Sequence, residues 1–126
     1  MKKLLTLLFS ILISFNSYGE WTFHAESSSG EKYYIDSETI RKDSGYVYFW
    51  ELQEKKIRNN SGNKGLAAYY QGDCGIFRLK RWTIISYSKS MGTGVSEEFN
   101  YEPDWLSAPP GSIRESSLNL VCNYPL

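Results

Sequence analysis

Apolar and polar positions alternate most clearly in the middle of the chain, over residues 46–53 (YVYFWELQ). Aromatic and β-branched residues dominate this segment, and both types favour strands. Because successive side chains of a strand point to opposite faces, Val47 and Phe49 share one face and three aromatic residues share the other. A sheet containing this strand therefore needs contacts on both faces. The three aromatic residues are Tyr46, Tyr48 and Trp50.

Similar patterns predict five more strands, separated by segments rich in glycine, serine or asparagine. The Ser27-Ser28-Ser29-Gly30 segment between the first two is typical of a hairpin turn. Asp36 or Ser37 can cap a single helical turn after the hairpin. Residues 54–65 are too polar and glycine-rich to pack, which predicts a loop. The five strands are residues 20–26, 31–35, 66–74, 76–88 and 95–101.

A short helix is predicted near the end of the chain. Ser112 and Glu115 have the spacing of a capping box, in which each side chain accepts the backbone amide of the other. We expect the helix to run to about Cys122 and to dock on the sheet. The fold class is therefore α+β, a single domain with a roughly six-stranded antiparallel β-sheet and a C-terminal α-helix packed on it. The docking side is formed by Ile113, Ser117, Leu120 and Val121.

The first residues have the pattern of a secretory signal peptide. Met1-Lys2-Lys3 is basic, residues 4–15 are almost entirely apolar, and Ser17 and Gly19 are small residues at the minus 3 and minus 1 positions of a cleavage site. An apolar run of this length spans about 18 Å, which is too short for a hydrocarbon core of about 30 Å. We expect removal of residues 1–19, leaving one exported domain over residues 20–126 without a transmembrane segment.

Charge and cysteine content narrow the class of protein. The 126 residues contain 14 Lys and Arg against 14 Asp and Glu. Loss of Lys2 and Lys3 reduces the 14 basic residues to 12, and this mildly acidic balance argues against a nucleic-acid-binding protein. An exported chain permits disulfides, and Cys74 and Cys122 are the two cysteines. We expect them to be paired, and the alternative is a reactive thiol, although the chain has no CxxC spacing.

Catalytic patterns are absent from the sequence. His24 is the single histidine. A lone histidine on a strand is typically a partly exposed surface residue, and the alternative is pairing with a carboxylate. The chain contains no GxSxG, HExxH or four-ligand metal spacing. We therefore expect a non-enzymatic protein without catalytic residues, metal or cofactor.

Cationic and aromatic residues indicate binding to a protein partner instead. Basic residues recur in the predicted loop and on the strand that follows it, and large aromatic residues beside them are the type that dominates protein interfaces. The alternatives are a solvated charge run for the loop, and a core or a homodimer seam for the aromatic face. The candidate partner-binding residues are Lys55, Lys56, Arg58, Lys64, Arg78, Lys80 and Trp82.

Several segments, taken in order, resemble the surface-adhesin protein E family of Gram-negative bacteria. They are Trp21, Tyr33-Tyr34-Ile35-Asp36 with Ile40-Arg41, residues 46–51, residues 70–74 with Asp73-Cys74, Met91-Gly92-Thr93-Gly94, Trp105, Pro109-Pro110-Gly111-Ser112 and Val121-Cys122. The resemblance implies a six-stranded antiparallel sheet and a C-terminal helix held by a disulfide. It also implies binding of host vitronectin, laminin and plasminogen, in part through basic segments that lie in regions comparable to residues 55–64 and 78–89.

The patterns and the resemblance together predict an exported, adhesin-like binding module in the periplasm or at the surface of a Gram-negative bacterium. Its partner would be a protein, such as a host matrix protein. The alternative is a periplasmic housekeeping or inhibitor protein that binds a bacterial or lytic-enzyme partner. No cysteine lies near the cleavage site, so the sequence does not predict a lipid anchor.

Overall fold

A computed structural model describes residues 21–55, 64–100 and 103–126. The predicted signal peptide and the candidate residues Lys56 and Arg58 lie outside these ranges. The elements are β1 (Trp21–Glu26), β2 (Lys32–Asp36), a 3₁₀ turn (Ser37–Thr39), β3 (Arg41–Asp43), β4 (Tyr46–Glu54), β5 (Gly65–Asp73), β6 (Arg78–Lys89), β7 (Thr93–Asn100), β8 (Trp105–Ser107) and α1 (Ile113–Cys122).

The strands form one curled antiparallel sheet in the order β1-β2-β4-β5-β6-β7. These are the six predicted strands, and the α+β fold class is confirmed. Two three-residue strands were not predicted: β3 pairs with the first residues of β4, and β8 pairs with the first residues of β6. Both are too short to show a periodic pattern, and they occupy the ends of long strands that β2 and β7 do not reach.

One face of the sheet and α1 enclose the main core. Val47 and Phe49 are fully buried on this face, as the alternation predicts, and Leu118 and Val121 of α1 are fully buried against it. Gly72 marks the closest approach, because a Cβ placed there would lie 2.9 Å from both Leu118 Cδ2 and Val47 Cγ1. The absence of a side chain at this position lets the helix lie directly on β4 and β5.

Caps and a disulfide hold both ends of α1. Ser112 Oγ accepts the amide of Glu115 at 3.1 Å, as predicted. The carboxylate of Glu115 accepts the amide of Gly111 rather than that of Ser112, because Ser112 N donates to Pro109 O in the preceding turn. The Cys74–Cys122 disulfide ties the last residue of α1 to the turn after β5, which confirms the predicted pairing.

The opposite face of the sheet is partly covered at one end only. Leu52 is fully buried on this face, next to the nearly buried Ala67 of β5. The turn between β6 and β7 folds over this end, where the amide of Met91 donates to Glu54 Oε2 at 2.7 Å. Beyond that turn, no other described element packs on this face, and its side chains are half-buried or exposed except for the buried Gln71.

Candidate binding surface

The uncovered end of the second face carries cations and aromatic rings from five strands. Strand register aligns them in rows across the sheet: Arg41 of β3 pairs with Tyr48, and Lys80 of β6 pairs with Trp105 of β8. We call this surface the aromatic–cationic face. Its members are Arg41, Tyr46, Tyr48, Tyr69, Arg78, Lys80, Trp82 and Trp105, and the set includes the three predicted candidates of β6.

Each cation of this face lies over an aromatic ring. The guanidinium carbon of Arg78 is 4.0 Å from the ring centroid of Trp105, and Lys80 Nζ is 4.5 Å from the same centroid. The guanidinium carbon of Arg41 is 4.9 Å from the ring centroid of Tyr48. Such contacts hold long side chains in place by attraction to the ring quadrupole. The cations are therefore positioned before any partner arrives.

The rings also contact one another. Tyr46 stacks on Trp105 with centroids 5.9 Å apart, and Tyr48 stacks on Tyr69 at 6.3 Å. Trp82 is 38% exposed, and its Nε1 donates to Gln71 Oε1 at 3.0 Å. Trp82 is exposed, the other rings of this face are half-buried, and none of them belongs to the core cluster enclosed by α1. A homodimer seam at this face stays a prediction.

Asp73 partly balances the charge of Arg78, with 3.3 Å between Arg78 Nε and Asp73 Oδ2. The backbone amide of Ile76, the Arg78 guanidinium and the amide of Gly75 stabilise the carboxylate and hold the pKa of Asp73 below its usual value. The turn from Cys74 to Phe77, with a positive φ at Phe77, directs these amides toward Asp73. That turn also delays the start of β6 to Arg78, two residues later than predicted.

Lys55 and Lys64, the two loop candidates within the described residues, lie at the other end of the sheet. Lys55 and Lys64 close the base of the loop, where Lys55 N donates to Lys64 O and Lys64 Nζ donates to Lys55 O, both at 2.8 Å. They line a cavity of about 360 Å³ together with Lys32, Glu54 and Met91. Eight residues of β4 separate this end from the row of Arg78, a distance of about 27 Å. The described candidates therefore form two separate groups.

His24 occupies a polar cluster beneath α1, and the expectation of a partly exposed surface histidine is wrong. Its side chain is 3% exposed, and Nε2 lies 2.8 Å from Glu51 Oε2 while Nδ1 lies 2.9 Å from Ser116 Oγ. Ser117 Oγ also donates to Glu51 Oε2. Glu51 shares the inner face with Val47 and Phe49, so its position in the alternation could have indicated a buried acid that needs a partner.

The cluster joins β1, β4 and α1 by hydrogen bonds. Tyr33 lies beside it, with its ring 6.4 Å from that of His24. Burial, with the nearby carboxylates of Glu31 and Glu51, raises the pKa of Tyr33 to about 12. Within the described ranges, no group of three His, Cys, Asp or Glu side chains is arranged to hold a metal ion. Among the same residues, no helix has the length and apolar character needed to cross a membrane.

The architecture defines a small disulfide-bonded α+β domain with a sheet that is covered by a helix on one face. The sequence model of the surface-adhesin protein E family matches residues 21–123. The chain belongs to the surface-adhesin protein E family, as the ordered sequence segments predicted.

Solved structures of Haemophilus influenzae protein E share this fold. Crystal form II aligns with a TM-score of 0.65 and 18% identity over 81% of this chain and 86% of that chain. A second structure gives a TM-score of 0.62 at 18% identity, with 81% and 83% covered. Protein E from non-typeable Haemophilus influenzae gives 0.60 at 18% identity, with 82% and 76% covered. No curated protein matches the sequence significantly.

Proposed function

We propose that this protein is an exported, non-enzymatic surface adhesin that binds a host protein through its aromatic–cationic face. Family membership supports the adhesin class. The observation that carries the assignment to this face is the set of cations held over ring faces on the part of the sheet that α1 leaves open. The predicted host partners are vitronectin, laminin and plasminogen.

The face has the composition and rigidity of a protein-binding surface. Tyr, Trp and Arg dominate the energetics of protein interfaces, and the rings of Tyr and Trp bury large areas with few rotatable bonds to restrict. Arg78, Lys80 and Trp82 are each held by a ring or an amide within the chain. Binding therefore restricts little additional side-chain freedom, which lowers the entropic cost of association.

The direct test measures binding of the mature protein to immobilised vitronectin, laminin and plasminogen. The variant carrying Arg78→Gln and Lys80→Gln should lose at least about tenfold in affinity, which corresponds to about 1.4 kcal/mol. The matched control carries Lys42→Gln and Lys89→Gln, which removes the same charge from outside the face. Binding of the parent should weaken as salt rises. Failure of the parent to bind any of the three proteins would overturn the proposal.

A second experiment tests the surface location. Intact cells are treated with protease, and the mature protein is compared with a periplasmic control protein. Cleavage of this protein while the control survives supports a surface adhesin. Survival of both excludes surface exposure and favours the alternative, a periplasmic protein with a bacterial or lytic-enzyme partner.

The loop is a separate candidate contact. Lys55 and Lys64 stand with Lys32 around the cavity at the far end of the sheet, which concentrates positive charge there. Replacing Lys55, Lys56, Arg58 and Lys64 by Ser tests this group independently of Arg78 and Lys80. If only the loop variant loses binding to the host proteins, the partner contacts the loop end and the assignment to the aromatic–cationic face is wrong.

A further inference from the structure

The cations of β6 have a spacing that is set by the strand itself. Arg78 and Lys80 are two residues apart on one face of β6, so their Cα atoms are separated by about 6.7 Å. Both side chains lie against the same indole, that of Trp105. This shared contact holds both positive groups close to Trp105.

In an extended peptide, every second side chain points to the same side, so these side chains are also about 6.7 Å apart. From this match we propose that the aromatic–cationic face binds an extended acidic segment of a partner protein, lying along β6 with carboxylates on alternate residues. The inference rests on the proposed function and adds the chemistry and conformation of the partner segment. Two successive carboxylates on one side of this peptide would bind Arg78 and Lys80.

The contacts of Arg78 leave hydrogen-bond donors for a carboxylate of the partner. Asp73 accepts from Nε of the guanidinium, and the terminal N–H groups can donate to a second carboxylate. The carboxylate of Asp73 is anchored by two backbone amides, so it does not compete for Lys80. Charge-assisted hydrogen bonds of this kind are among the stronger polar contacts in proteins.

A peptide suits this face better than a sugar ring does. Sugar recognition by aromatic residues uses an open ring face, and the face of Trp105 is occupied by two cations. What the surface presents is N–H groups of two cations, flanked by the exposed side chain of Trp82. Trp82 can receive an apolar side chain of the same peptide, next to the two carboxylates.

A matched control removes the same charge outside the face. Lys42 lies on β3, and Lys89 lies at the far end of the strand that carries Arg78 and Lys80. A peptide that lies along β6 at Arg78 and Lys80 should therefore bind the Lys42→Gln, Lys89→Gln variant as it binds the parent.

Two labelled peptides of equal composition and charge provide the test. One has the repeat Glu-Thr-Glu-Thr-Glu-Thr-Glu-Thr, and the other has Glu-Glu-Thr-Thr-Glu-Glu-Thr-Thr, which contains no pair of Glu residues two positions apart. Fluorescence anisotropy with the mature protein at low salt should show at least about tenfold tighter binding of the first peptide. The Arg78→Gln, Lys80→Gln variant should lose this preference, and the Lys42→Gln, Lys89→Gln control should keep it.

Equal affinity for the two peptides, or loss of the preference in the Lys42→Gln, Lys89→Gln control, would overturn the inference. Binding of heparin in place of either peptide would also overturn it and would indicate a sulfated glycan. If the Arg78→Gln, Lys80→Gln variant loses affinity for the host proteins while neither peptide binds the parent, the proposed function stands and this inference fails. If the parent binds the alternating peptide but none of the host proteins, the acidic segment is supported and those partners are excluded.

Discussion

His24 Nε2 lies 2.8 Å from Glu51 Oε2 and joins the edge strand β1 to the central strand β4 beneath α1. The two side chains are only 3% and 9% exposed. Ser116 and Ser117 of the helix complete their hydrogen bonds. A buried carboxylate is stable only with such partners, so this cluster determines where the helix lies on the sheet.

Replacement of His24 should therefore destabilise the fold. His24→Ala removes the ring that bonds both Glu51 and Ser116, and breaking a buried pair of this type costs about 3 kcal/mol. Thr22→Ala, at an exposed position on the same strand, should change the free energy of unfolding by no more than about 0.5 kcal/mol. Urea unfolding of both variants measures the difference. Equal midpoints would show that the cluster contributes little to helix docking.

Gly72→Ala should also be destabilising, for a steric reason. The added Cβ would lie 2.9 Å from Leu118 Cδ2 and from Val47 Cγ1, so α1 or β4 must shift. Overpacking of a core typically costs about 1–3 kcal/mol. Gly75→Ala is the control, because its Cβ would meet only Asp73 Oδ1 at 3.5 Å. A thermal midpoint for Gly72→Ala equal to that of the control would contradict the close approach.

The Cys74–Cys122 disulfide spans a sequence separation of 48 residues. The chain-entropy estimate for a loop of this length is about 4 kcal/mol, so Cys122→Ser should lower the thermal midpoint markedly under oxidising conditions. Addition of reductant should bring the parent close to the variant and leave the variant unchanged. An unchanged midpoint for Cys122→Ser in oxidising buffer would show that the bond adds no stability.

Tyr33 should make the protein less stable in alkali. Its pKa in the folded chain is about 12, against 10.0 for the free side chain, chiefly because burial disfavours the phenolate. The unfolded chain therefore releases this proton first, and the associated stability is complete below pH 10 and is lost as the pH rises to 12. Tyr70 contributes in the same direction, since burial raises its pKa too.

Urea midpoints between pH 9 and pH 12 test this dependence. Tyr33→Phe should show a shallower decline than the parent, and Phe23→Leu, at an exposed position on β1, should follow the parent curve. Parallel curves for the parent and Tyr33→Phe would show that Tyr33 ionises normally in the folded chain.

The sequence predicted the long elements well because their periodic patterns reflect burial directly. The alternation in β4 and the capping residue Ser112 were sufficient to place the central strand and the helix start. β3 and β8 escaped prediction because three residues carry no period, and their pairing depends on the free ends of β4 and β6. The start of β6 was displaced because Phe77 takes a left-handed conformation that its residue type does not suggest.

The candidate surface was predicted in part. Arg78, Lys80 and Trp82 share a face because strand parity is visible in the sequence, and Trp82 is the extra residue of a bulge opposite Tyr69 and Tyr70. Arg41 and Trp105 join them through the two unpredicted strands, so no local pattern could have included them. The burial of His24 was missed because it requires knowing that β1 and α1 meet over Glu51.

The disulfide has a practical consequence for a chain that meets proteases outside the cell. The exposed strand β7 lies between the two cysteines, so a cut there leaves both fragments joined through sulfur. Such a nicked molecule would migrate at full mass on a non-reducing gel and separate into two pieces only after reduction. The same disulfide would keep the helix attached to the sheet after the cut, so a nicked adhesin would retain the packing of α1 on the sheet.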